Sequence, residues 1–168
     1  IFSIYQARDD VDASDPAQFF QPATKQIAAG YIIYGSATML ILSTGITTRG
    51  YTLDKTYGGY LLTHPSLAIP EDSSEFAINM ANQEYWQQPT QLYIKALLAG
   101  EQGRFNKRYN MRWYGAMACD IHRILMRGGI FIYPADTRNV KQPNKLRFLY
   151  EAAPLAMLVT NAGGAAYA

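Results

Sequence analysis

Two glycine-bearing turns restrict this chain more than any other feature. Thr44-Gly45 and Tyr57-Gly58 cut the stretch between Thr38 and Thr63 into three short runs, Thr38–Ser43, Ile46–Asp54 and Gly59–Thr63. Runs this short, rich in β-branched and aromatic residues and joined by tight turns, pair as an antiparallel meander; a parallel pair would need a crossover of about a dozen residues. Ile1–Tyr5 reads as a further short strand. Residues 7–18, with Asp9, Asp10, Asp12, Asp15 and Pro16, read as a loop. Behind Pro22, the apolar residues Ile27, Tyr31 and Tyr34 recur at helical spacing, so a helix is expected over Ala23–Tyr34, broken by Gly35-Ser36.

The second half alternates helix and strand signals. Residues 64–75, with Pro65 and Pro70, read as an exposed connection. A helix is expected over Pro89–Ala99, ended by Gly100. Arg104, Lys107, Arg108 and Arg112 form a local basic loop. A further helix is expected over Gly115–Met126, with Met117, Ile121, Ile124 and Leu125 on one face and Gly128-Gly129 as its stop. Ile130–Tyr133 reads as a buried strand ended by Pro134. A polar loop, Asp136–Asn144, leads into Leu146–Leu149, and Tyr150–Ala162 reads as helix up to Gly163-Gly164. Meander, helix–strand units and a leading strand in one chain imply a mixed α/β fold.

The length, 168 residues, fits one ordinary domain. An apolar share of 49% excludes disorder. Charged residues make up 17%, below the usual ~25%, and there are 13 tyrosines; both point to surface hidden against something else. A net charge of +2 favours neither nucleic acid nor membrane. The longest aliphatic run, Met39–Leu42, is far short of the ~20 residues of a membrane span. The lone Cys119 forms no internal disulfide and fits a reducing compartment. The chain opens at Ile1 inside a strand-like run, without methionine, signal peptide or transit peptide, and closes at Gly163–Ala168 without an obvious stop; it reads as a fragment.

No Walker A loop, dinucleotide fingerprint, His-Glu-x-x-His or Gly-x-Ser-x-Gly motif is present. His64 and His122 lack a second ligand at metal spacing; His122 reads as structural and Cys119 as a small core residue. One cluster remains, Lys145-Leu146-Arg147-Phe148-Leu149-Tyr150-Glu151. On a strand, Lys145, Arg147 and Glu151 would share a face. Two cations suit phosphate oxygens and a carboxylate suits a hard divalent cation, which together point to phosphate chemistry. A solvated charged edge has the same pattern, and spacing alone leaves both readings open.

Three segments, Ala28–Leu40, Gly128–Pro134 and Lys145–Pro154, resemble class I fructose-1,6-bisphosphatases. Ile69-Pro70-Glu71, Phe76–Asn79 and Asn110–Trp113 are similar to the proteobacterial branch. The blocks stand in family order over almost the whole chain. The resemblance implies a layered α/β/α/β/α sugar-phosphatase fold. Residues 1–168 would cover the end of its N-terminal sheet region and most of its C-terminal domain, without the upstream Asp-Pro-Leu-Asp-Gly-Ser metal motif and without the C-terminal tail. It also implies hydrolysis of the 1-phosphate of fructose 1,6-bisphosphate in gluconeogenesis, with Mg²⁺ (or Mn²⁺) ions orienting the attacking water. The implied setting is a cytoplasmic homotetramer, with no nucleic-acid or membrane partner.

Carried over residue by residue, the resemblance makes Glu151 a metal ligand and Lys145 a substrate contact. Tyr133 and Asn79 match groups at the substrate phosphate, and Arg147 joins the substrate-binding set. Arg112 matches an arginine that reaches the 6-phosphate in a neighbouring subunit's site. There are departures. Trp113, also counted in the substrate-binding set, stands where many members have a substrate-contacting tyrosine, and an indole offers only an N–H donor. Met80-Ala81-Asn82 stands where other branches have Glu-Gly-Tyr, so one phosphate-contacting tyrosine is absent. Gln6 replaces an AMP-contacting arginine, which argues against strong AMP inhibition. A sedoheptulose 1,7-bisphosphatase is an alternative substrate reading. A non-catalytic sugar-phosphate-binding or assembly module is an alternative of another class, because a single carboxylate is too few for several Mg²⁺ ions.

Overall fold

The computed structural model describes residues 1–138 and 145–167. Its contacts divide the chain into two units, Ile1–Ile69 with Arg147–Ala168, and Pro70–Leu146.

The first unit is built on a five-stranded antiparallel sheet in sequential order, β1 (Phe2–Tyr5), β2 (Gln26–Tyr34), β3 (Thr38–Ser43), β4 (Thr48–Asp54) and β5 (Gly59–Leu67). The expected meander is present. The helix expected over Ala23–Tyr34 is not: apart from a short 3₁₀ turn at Ala23–Lys25, that stretch is strand β2. Its β-branched and aromatic residues suit a pleated surface, and pairing on both sides with β1 and β3 outweighs the helical spacing. Period two decides burial: Ala29 and Tyr31 are fully buried, whereas Tyr34, expected on the same helical face, is 78% exposed. Gly30 lets β1 approach, since a Cβ there would lie 2.6 Å from both Phe2 Cζ and Ile41 O. β5 continues past the expected Thr63 through Pro65, which an edge strand tolerates.

One face of this sheet is covered by α3 (Ala153–Thr160). The row Ala29–Ser43–Thr48 points toward it: Thr48 Oγ1 donates to Leu158 O at 2.7 Å and Asn161 Nδ2 to Ser43 Oγ at 2.9 Å. The opposite face carries the cross-strand row Ile32–Leu40–Tyr51–Leu62, with Ile32 39% and Leu62 51% exposed. Leu146–Leu149 and the start of the expected last helix also differ. A wide helical turn, Phe148–Ala152, precedes α3 and is kinked at Tyr150.

The second unit holds a three-stranded parallel sheet, β6 (Glu75–Ala77), β7 (Asn110–Met111) and β8 (Ile130–Phe131), in the order β7-β6-β8. Two helices, α1 (Gln88–Leu98) and α2 (Met117–Arg127), are the crossovers, close to where the sequence places them. They use opposite faces of β6. Phe76 and Ile78 pack with Trp86 and with Ile94 and Leu97 of α1. Glu75, one residue out of phase, takes a two-pronged ion pair from Arg123 of α2 at 2.6 Å for each arm. The expected strand Ile130–Tyr133 is strand only through Phe131, and β6 and β7 are too short to leave a periodic signature. Of the expected loop Asp136–Asn144, residues 139–144 lie outside the described residues. Among the described residues, no helix is long and apolar enough to cross a membrane.

Candidate functional site

The three parallel strands of the second unit end together. Asn79 follows β6, Arg112 and Trp113 follow β7, and Tyr133 follows β8. The carboxyl ends of such strands, where the order reverses around a central strand, are where α/β sheets place their ligand crevices. An open cleft lies there, lined by Asn79, Asn82, Trp86, Tyr133, Asp136, Arg138 and Lys145, with Ile78, Ile132 and Pro134 as its apolar wall. Asn79, Tyr133 and Lys145, chosen from the sequence, therefore meet in one cleft. Asn79 has a local task as well, since its Oδ1 accepts the Ala81 N–H at 3.1 Å and caps the 3₁₀ turn Met80–Tyr85.

Asp136 and Arg138 carry no motif and no resemblance, and Asn82 enters the sequence reading only as a departure from the family pattern. Asp136 is fixed by a bridge to Trp86, and Thr137 N donates to Tyr85 O at 3.0 Å. The Arg138 guanidinium lies 4.0 Å from the Tyr85 ring centroid and pairs with Asp136 through Nε and Nη2, while Nη2 also reaches Asn82 Oδ1 at 2.9 Å. Hydrogen bonding from Arg138 pulls the Asp136 carboxyl from 3.8 down to about 2, so the pair stays ionised to low pH. The one available signal was the short spacing Asp136-x-Arg138 after a strand end.

Arg112 and Trp113 do not line this cleft. Trp113 stacks on Phe131 (centroids 5.9 Å apart, planes at 16°), which stacks on Tyr133 (6.4 Å, 18°), so the indole supports the ring that faces the cleft. Arg112 lines a second, smaller cleft with Glu75, Asp120 and Arg123. Asp120 is 1% exposed in the first turns of α2. Its Oδ1 accepts the Tyr114 N–H at 3.0 Å, and its Oδ2 has no hydrogen-bond partner among the described residues. The loop carrying Arg112 and Trp113 is thus pinned from α2.

Burial pushes the Asp120 carboxyl up, and the N–H groups of Tyr114 and Gly115 pull it down by less. A raised folded-state value means that this group's contribution to stability is present below the unfolded carboxylate range. It is lost as pH rises through the folded value. Asp120→Asn keeps an acceptor for Tyr114 and cannot ionise. Its stability relative to the parent is therefore expected to improve from pH 4 to pH 7, read as urea midpoints; a gap that stays constant over that range would refute the assignment.

Arg147 and Glu151 lie in the first unit. On a strand they would share a face with Lys145; here they form a helical i,i+4 pair at the kinked turn. Arg147 N donates to Glu151 Oε2 at 2.9 Å, its Nε to the same oxygen at 3.0 Å, and its Nη2 to Oε1. The Glu151 carboxyl is held below its ordinary value, first by these Arg147 hydrogen bonds, against a smaller opposing effect of burial. Both carboxylate oxygens are therefore committed to a cation. Among the described residues, no three His, Cys, Asp or Glu side chains gather as a metal site. Mg²⁺ needs an octahedron of oxygens, so the described residues do not by themselves fit a Mg²⁺ ion.

Both parts of the chain match known proteins. Residues 1–65 match the family model of the fructose-1-6-bisphosphatase N-terminal domain, and residues 69–168 that of its C-terminal domain. The class 1 fructose-1,6-bisphosphatase of Cellvibrio japonicus is 58% identical over 167 residues, covering 99% of this chain and 52% of that protein. That of Pseudoalteromonas atlantica is 56% identical over 166 residues, covering 99% and 51%. Among solved structures, Leishmania major fructose-1,6-bisphosphatase in its T-state superposes with a TM-score of 0.86 at 38% identity, over 97% of this chain and 50% of that one. The apo form gives 0.84 at 37% identity, over 96% and 51%. The chain spans about half the length of the curated relatives it matches. On both domain models and on these identities, the chain belongs to the fructose-1,6-bisphosphatase family.

Proposed function

We propose that this chain carries the sugar-phosphate-holding part of an enzyme that hydrolyses the 1-phosphate of fructose 1,6-bisphosphate. Family membership supports the reaction. The observation that carries the reading is the meeting of Asn79, Tyr133 and Lys145 at the carboxyl ends of parallel strands. The Lys145 ammonium acts as a point charge toward a phosphate oxygen, and the Tyr133 hydroxyl and the Asn79 amide donate to it. Trp113 supports Tyr133 from behind, and Arg112 serves a neighbouring copy's site in a homo-oligomer. Residues 1–168 correspond to the end of the N-terminal sheet region and most of the C-terminal domain. Glu151, released from Arg147, is an oxygen ligand for a divalent ion, Mg²⁺ or Mn²⁺, and Arg147 is then free for an anion. The other ligands come from elsewhere in the full-length protein, a cytoplasmic enzyme of gluconeogenesis.

The direct test is phosphate release from fructose 1,6-bisphosphate by the purified full-length gene product with Mg²⁺. Absence of release would overturn the reading, and sugar-phosphate binding without release would favour a non-catalytic module. Parallel rates on sedoheptulose 1,7-bisphosphate decide between the two sugars. Lys145→Gln is expected to raise KM about 30-fold with kcat little changed, the equivalent of ~2 kcal/mol for one lost charged partner. An unchanged KM would remove Lys145 from the site.

A further inference from the structure

We propose that Arg138 is a second anion-binding cation of the Lys145 cleft, a guanidinium already oriented by its protein neighbours. The inference rests on the functional reading above and adds to it a residue that neither the motif search nor the resemblance supplied.

Three observations carry it. Arg138 lines the same cleft as Asn79, Tyr133 and Lys145. Its guanidinium is already held in place: Tyr85 supports its face, Asp136 takes Nε and Nη2, and Asn82 accepts from Nη2. Its Nη1 has no protein acceptor among the described residues. A planar fork fixed on one edge loses little freedom when its other edge meets a phosphate.

The charges are consistent with an anion. Asp136 is the carboxylate of the cleft and is neutralised by Arg138, which leaves the Lys145 charge in excess. Glu84, also near Arg138, is not among the residues that line the cleft. The Asp136 carboxyl remains ionised far below neutral pH, so the clamp persists across the working range.

The test is calorimetric binding of inorganic phosphate and of fructose 6-phosphate to the full-length protein, with KM and kcat measured alongside. Arg138→Gln is expected to weaken both ligands roughly tenfold, the usual effect of one charge-assisted hydrogen bond, and to raise KM by a similar factor with kcat within about threefold. Arg104→Gln, an exposed arginine of the same unit outside the cleft, is expected to leave binding unchanged. Equal affinities for the parent and Arg138→Gln would overturn the proposal. If Arg138→Gln unfolds, Arg138→Lys decides: the charge without the fork loses at least about threefold if the proposal holds, and equal affinity again overturns it. A parent protein that binds phosphate but does not turn over fructose 1,6-bisphosphate would refute the enzymatic reading while the binding data still judge Arg138. Normal turnover with unaltered Arg138→Gln binding would refute Arg138 alone.

Discussion

The 168-residue chain by itself is expected to release no phosphate from fructose 1,6-bisphosphate at any Mg²⁺ concentration, while the full-length gene product does. The expected difference is at least about 10³-fold, because the metal's Lewis acidity and its nucleophilic water are worth several kcal/mol. The physical reason is the donor count. Among the described residues no three candidate ligands come together, and both oxygens of Glu151 are held by Arg147. The same sample is expected to bind an apolar dye and to self-associate at micromolar concentration. The row Ile32–Leu40–Tyr51–Leu62 forms an apolar stripe on the sheet face opposite α3, flanked by the exposed Ile4, Tyr34 and Tyr60. Metal-dependent turnover by a chain of verified mass would refute the first expectation, and a dye-silent monomer the second.

In the full-length protein, Glu151→Gln is expected to lower turnover at least about 100-fold and to weaken Mn²⁺ binding measured by electron paramagnetic resonance, with a nearly unchanged melting temperature. Partners one shell beyond a metal already cost 10–100-fold when removed, so a ligand sits at or above that range. The alternative role for Glu151 is a surface ion pair with Arg147, whose side chain is 60% exposed. Such exposed i,i+4 pairs contribute little, so their loss leaves turnover within about threefold. The two roles therefore predict results more than an order of magnitude apart. A Glu151→Gln enzyme with a third or more of the parent's rate would assign Glu151 to structure.

The readings of particular segments show what kind of signal was legible. The turns at Thr44-Gly45 and Tyr57-Gly58 placed the meander, because turn chemistry is local and a short turn leaves one way to pair. Residues 26–34 were misread because Ile27, Tyr31 and Tyr34 satisfy helical spacing, while the competing requirement, a partner on each side from β1 and β3, lies elsewhere in the chain. Lys145, Arg147 and Glu151 were aligned by a strand period that the chain does not adopt there, and the kinked turn before α3 pairs Arg147 with Glu151 instead. Asn79 and Tyr133 could be named because their surrounding motifs resemble a family, not because spacing linked them. Asn82 sits at a departure from that pattern, and Asp136 and Arg138 lie between the segments that resemble the family, so resemblance had no role to assign them.

The residues alone determined the mixed α/β class, the meander, both crossover helices to within about two residues, and the family to which the chain belongs. Each of these follows from short-range periodicity, turn chemistry or local motif identity. The tertiary structure decided that β2 is a strand, that three short parallel strands end at one cleft, and that Arg138 is clamped beside Lys145 in it. Those outcomes depend on pairing and packing between segments far apart in sequence. A strand of two or three residues such as β7 or β6 has no periodicity of its own and exists only because its neighbours supply the hydrogen bonds.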